Sequence, residues 1–154
     1  MASFTKVNAF VEDLAKGKHT LDTSGNSGDQ LKVALFAADP TASATTYTAL
    51  AAVSNNELGN ANGYTTGGAS CTVSASAQTS GTYKLTIDPD PVFTASGGDL
   101  GGTGDAFRYV VLYNSTDSNK PIIGYYDYGS NVTISDGNTF TVDFDSSAGV
   151  FTLS

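Results

Sequence analysis

The sequence predicts a mainly β protein, an antiparallel β-sandwich of jelly-roll-like type with about eight or nine short strands and one N-terminal helix. Two observations predict the strands. Apolar and polar residues alternate through several short runs, which lines one face of each. Gly, Pro, Asn and Asp punctuate those runs at regular intervals, as turns require. A third, helical spacing near the start, predicts the helix. The 154 residues fit a single domain. Residues 1–20 read as an N-terminal helix or arm and residues 30–154 as the sandwich.

Phe4, Val7, Phe10, Val11 and Leu14 recur at intervals of three and four and build an apolar stripe, so the spacing predicts a helix over 3–16. Ser3 is its candidate N-cap, although Lys6 stands where a capping box needs Glu or Gln. Glu12 and Lys16 form an i,i+4 pair in the favourable order, and Gly17 supplies a stop. The stripe reads as core, or as a face that docks on a partner subunit. Residues 22–29 are a loop. In 30–36, Leu31, Val33 and Leu35 share one face of a strand that Asp39-Pro40 ends.

Residues 45–53 suit either a strand or a short helix. Residues 55–68 carry Gly59, Gly63, Gly67 and Gly68 and read as a long exposed loop. Long loops in compact domains are functional or disordered, so this one is a candidate contact arm. Strands follow at 70–76 and at 82–87, where Tyr83, Leu85 and Ile87 face one way, with a short one at 92–95. Five glycines mark 96–105 as a loop. Phe107–Tyr113 is nearly continuously apolar, which predicts burial on both faces. Residues 121–128 pair with it as a hairpin across a turn rich in Asn, Ser and Asp. Residues 132–134 and 139–144 follow, the latter with Phe140, Val142 and Phe144 on one face and Thr141 and Asp143 on the other, and 150–153 closes the chain.

Charged residues are only 14% of the chain, and the net charge is −8. An acidic surface repels phosphate, so nucleic-acid binding has no electrostatic support. The start has no basic segment followed by an apolar run, and no apolar run approaches the roughly 18 residues that would span a bilayer. A chain made in the cytosol, without membrane contact, is expected. Cys71 is alone and reads as a small strand side chain.

His19 is the single histidine, and it reads as a solvated residue beside a helix end rather than a triad member. One His and one Cys do not make a zinc site. Neither a Gly-x-x-x-x-Gly-Lys-Ser/Thr loop nor a Gly-x-Ser-x-Gly elbow occurs. Asp127, Asp143 and Asp145 are conceivable glycosidase acids, and Tyr125, Tyr126 and Tyr128 a conceivable sugar platform. An ordinary aromatic cluster on a sheet is the plainer reading. Asp88 and Asp90, or Asp136 and Asn138, offer oxygens for calcium, but no EF-hand loop is formed and turns ordinarily contain such residues. Asn114 and Asn131 fall in glycosylation sequons by composition alone. No enzymatic activity, cofactor or metal is expected.

Several blocks resemble one family. They are Met1–Leu14, Asp29–Leu35, Ala61–Gly68, Thr79–Leu85, Phe107–Asn114, Ile123–Gly129 and Phe140–Asp145. Together they are similar, nearly end to end, to a widespread set of small structural proteins of tailed bacteriophages and prophages. This chain departs from that pattern in longer loops at Thr23–Gly28 and Ser96–Asp105.

The resemblance implies a virion structural protein, most specifically a head decoration or cement protein that contacts the major capsid protein or another virion protein. Such proteins are small and often dimers or trimers. A tail or head–tail connector component and a virion-surface carbohydrate-binding module are the alternatives. Phe4, Phe10 and Leu14 of the arm, with Asn62, Tyr64 and Leu100 of the glycine-rich loops, are the expected intersubunit contacts. Removing residues 1–14 is then expected to abolish capsid binding and leave a folded β domain.

Overall fold

Phe107–Asn114 is the most apolar run of the chain, and it folds as a central strand whose side chains are all buried except that of Arg108. The computed structural model describes residues 3–23, 27–52, 56–102 and 106–154. In chain order these form β1 (Phe4–Lys6), α1 (Asn8–Ala15), β2 (Leu31–Phe36), α2 (Tyr47–Ala51), β3 (Ala69–Ser70) and β4 (Val73–Thr79). Then come β5 (Thr82–Ile87), β6 (Val92–Thr94), β7 (Phe107–Asn114), β8 (Ile122–Val132), β9 (Thr139–Thr141) and β10 (Phe151–Leu153).

All pairings are antiparallel. The large sheet runs β1-β8-β7-β2-β3, a second runs β10-β5-β4, and β6 pairs with β9. The mainly β antiparallel sandwich is therefore as the sequence predicts. Sheets of five, three and two strands do not by themselves establish a jelly roll.

Paired residues share a face, so Tyr109, Val111 and Tyr113 of β7 lie with Phe36 and Ala34 of β2 on one side of the large sheet. Tyr47 of α2 covers that side, stacked on Tyr113 at 4.3 Å between centroids and edge-on to Phe36 at 6.2 Å. Thr46 caps this short helix by accepting the Ala49 N–H. The opposite side meets the smaller sheets. Phe151 of β10 lies against Phe4 and Phe10, and Phe144 against Tyr126.

The N-terminal segment differs from the helix expected over 3–16. Residues 4–6 are extended and pair with Tyr126, Tyr125 and Gly124 of β8. Val7, not Ser3, precedes the first helical turn, in an extended conformation. The reason is a close approach at Gly124. A Cβ there would overlap the Phe4 ring and lie 2.5 Å from the Thr5 carbonyl oxygen, so only glycine lets β1 lie flat on β8. The helix is left with eight residues, Phe10 in the core and Val11 exposed.

The segment after α2, expected as a long exposed arm, is fastened to the sheet over its described residues. Asn56 and Leu58 are buried, the Leu58 N–H donates to the Leu35 carbonyl at 3.0 Å, and the Asn56 amide donates to Leu50. The Glu57 carboxylate is the centre of the fastening. One oxygen accepts the Tyr47 hydroxyl at 2.5 Å, and the other accepts the Tyr64 hydroxyl and the Gly67 N–H, each at 2.7 Å. The Tyr64 oxygen in turn accepts the Leu35 N–H, and the Tyr113 hydroxyl donates to Gly67. Burial, together with the Glu57 carboxylate, pushes both phenols up and keeps them protonated donors.

The loop after β6 is tied down as well over its described residues. Leu100 and Ile134 exchange both backbone hydrogen bonds at 2.9 Å. Asn62 donates to the Asp99 carbonyl at 2.8 Å, and its own carbonyl accepts the Ser96 N–H. The two glycine-rich loops are thus joined to each other.

Phe10→Ala should cost about 3–5 kcal/mol by thermal or denaturant melting, and deletion of residues 1–14 should impair cooperative folding, because both remove a core side chain. Glu57→Gln sets an amide donor against hydroxyl or N–H donors, and chemical denaturation should show a loss of about 1–3 kcal/mol.

Candidate functional site

The β7–β8 ladder contains a register jump. Tyr109 pairs with Asp127, but Phe107 pairs with Val132, so β8 residues 128–131 lie opposite Arg108 alone. Such an insertion bends the strand and re-aims its side chains. Asp127 organises it. Its carboxylate accepts Nε of Arg108 at 2.6 Å and a terminal guanidinium nitrogen at 2.8 Å, a two-pronged pair. It also accepts the Gly129 N–H at 2.8 Å, where φ is 92°. The Arg108 guanidinium, then the Gly129 N–H, hold the Asp127 carboxyl below the usual carboxylate range. Tyr128 is pushed out of the sheet to 58% exposure.

Beside the inserted segment lies a cleft of about 230 Å³. Val110 and Val142 form its floor, and Tyr126, Tyr128 and Phe140 its walls. Tyr128 and Phe140 stand 6.2 Å apart with planes at 69°, which makes a corner. Asp143 and Thr141 supply the rim. Asp143 is exposed and has no ion pair or side-chain hydrogen bond among the described residues. Burial, then the Asp143 and Asp90 carboxylates, push the Tyr126 phenol up to about 12, so it stays neutral.

Strand alternation decides which expected residues meet. Tyr126 and Tyr128 enter the cleft. Tyr125 pairs with Val111 on the other face, where it lies edge-on to Tyr109. The three-tyrosine platform is therefore not assembled. Asp127 is engaged with Arg108 and does not line the cleft with Asp143, while the Asp145 carboxylate accepts the Ser147 and Ala148 N–H groups. Asp90 accepts the Phe144 N–H, and Asp136 accepts Gly97. No group of three metal-ligating side chains occurs among the described residues. Asn114 is fully buried, donating to the Lys18 carbonyl and to Asp29.

Of the expected contact residues, Phe10, Tyr64 and Leu100 lie inside this chain's own core at 0%, 3% and 1% exposure. Phe4 and Leu14 are half-buried against that core, and Asn62 joins the two loops. Sequence spacing does not predict the Tyr128–Phe140 corner. Its one sequence signal is a run of apolar and aromatic residues at 125–128 broken by Asp127 before Gly129.

Comparison with family models, with curated proteins and with solved structures finds no match. Among the described residues no helix is long and apolar enough to cross a membrane.

His19 and Cys71 complete the chemistry-bearing groups. Burial pushes the Cys71 thiol up to about 12. His19 is not the solvated residue expected: it is 5% exposed, 5.3 Å from the Phe10 ring, and neither ring nitrogen has a partner among the described residues. Hydrogen bonds on both sides turn it inward, from Asn114 to the Lys18 carbonyl and from the Thr20 N–H to Asp29. Burial pushes the imidazole below its ordinary 6.5, while the Asp13, Asp29 and Asp117 carboxylates oppose the shift in part. The unfolded chain therefore binds this proton at higher pH than the folded one. Stability should be level above the ordinary value and fall as pH drops through it towards the folded value. Melting from about pH 7 to pH 5 should show this decline, and His19→Leu should remove it, leaving only the carboxylate titrations at lower pH.

Proposed function

We propose that the chain is a structural protein of a tailed-bacteriophage virion, and that it decorates the head, holding capsid subunits by protein–protein contacts. The family resemblance of its blocks supports this reading. The observation that carries it is the fixed rim made by the two glycine-rich loops. Asn62, Asp99, Ser96, Asp136 and Gly97 lock these loops together on the sandwich, yet Gly59, Asn60, Ala61, Thr65 and Thr66 remain exposed along them. Loops ordered before docking lose little conformational entropy when they dock. A weak contact made this way, repeated over a shell, gains occupancy through multivalency.

Imaging of the intact particle tests the proposal. Density for this chain should stand on the outer capsid surface at positions repeated with the shell. Rings or tubes at the neck would assign it to the connector or tail, and its absence from particles would overturn the virion role altogether. In a capsid-binding assay, Asn62→Gly should weaken occupancy with a stability change of only about 1 kcal/mol, because glycine keeps the positive φ of 51° and only the bond to the Asp99 carbonyl is lost.

A further inference from the structure

The aromatic cleft has a chemical bias of its own. It is lined by Tyr126, Tyr128 and Phe140, and its polar side chains carry a carboxylate and hydroxyls. No Lys or Arg lines it. Ring faces and an unpaired carboxylate both attract positive charge. The whole chain adds to that field with its net charge of −8. Among cations, the flat guanidinium suits the corner best: it stacks on one ring face and forks onto a carboxylate, whereas an ammonium does neither. The chain's single arginine, Arg108, is engaged with Asp127, so a second copy offers none to spare.

The geometry points to this cleft as the seat for one arginine side chain of a protein partner, its guanidinium lying against Tyr128 and forking onto Asp143. This deepens the virion reading and rests on it for the source of the side chain. The register jump at 128–131, clamped by Arg108 and Asp127, holds the Tyr128 wall in place before the partner arrives.

N-acetyl-arginine amide, titrated into the full chain and followed by NMR, tests the site without a virion. Saturable shifts should appear at the rings of Tyr126, Tyr128 and Phe140. Asp143→Asn should weaken the apparent affinity by about tenfold, as loss of a charge-assisted pair predicts, and Tyr128→Ala should abolish the shifts. Both positions are exposed, so unchanged melting temperatures verify the fold. The neutral isostere N-acetyl-citrulline amide should produce no saturable shift. Equal response to citrulline, unsaturating shifts spread over the acidic surface, or methyl glucoside binding in place of arginine would each overturn the assignment. Arginine binding by a chain that particle images never contain would overturn the virion reading and leave the cleft standing. Capsid decoration without arginine binding would do the reverse.

Discussion

Burial of β7 on both faces is the constraint from which the other layers follow. A strand that keeps only Arg108 towards solvent needs a cover on each side of its sheet. On one side the cover is α2 and the Glu57 segment, and on the other the β10-β5-β4 sheet and the β6–β9 pair. The α2 cover is too short to stand alone, since a five-residue helix gains little from propagation. It is held by what it touches: Tyr47 on Tyr113, and the Tyr47 hydroxyl on Glu57. A partly buried carboxylate left without donors would be costly, and three donors make it an anchor instead.

Acidic residues serve the same purpose elsewhere. The chain has fifteen Asp and Glu against seven Lys and Arg, so most carboxylates cannot find a cation. Several cap backbone N–H groups two residues ahead: Asp39 to Thr41, Asp117 to Asn119 and Asp145 to Ser147. These are turns that side chains close, and they need no counter-ion. The net charge of −8 is therefore compatible with ordered loops. Exposed ion pairs such as Lys16–Glu12 add little by comparison. Asp143 stands outside this scheme. Among the described residues it closes no turn and meets no cation, and it lines the cleft of Tyr126, Tyr128 and Phe140.

Much of the fold is legible in the sequence because local pattern and burial agree. Leu31, Val33 and Leu35, the run at 107–113, and its hairpin partner all behave as their spacing requires. The N-terminus misleads because Phe4, Val7 and Phe10 fit a helix by spacing, while pairing with β8 claims residues 4–6. That preference depends on Gly124, more than a hundred residues away, which no local window contains. The loops mislead in the same way. Glycines at 59, 63, 67 and 68 signal freedom, but Glu57 and Tyr64 revoke it through bonds to β2 and α2 that only the folded chain brings together. The cleft is the least legible feature. It needs Val110, Tyr126, Tyr128, Phe140 and Val142 at once, and a register jump that strand alternation alone does not foretell.

The proposed decoration role asks two opposing things of such a surface. It must be rigid, so that docking sacrifices little entropy, and yet it must not aggregate before a shell is available. Neutral polar loops and surplus carboxylates meet the second demand, since like-charged copies repel. Fastened loops meet the first. A concave aromatic site with one unpaired acid reconciles the two, because it rewards a cation and this chain has none free to offer from its only arginine. Specificity on that basis lies as much in what the protein withholds from itself as in what it presents to a partner.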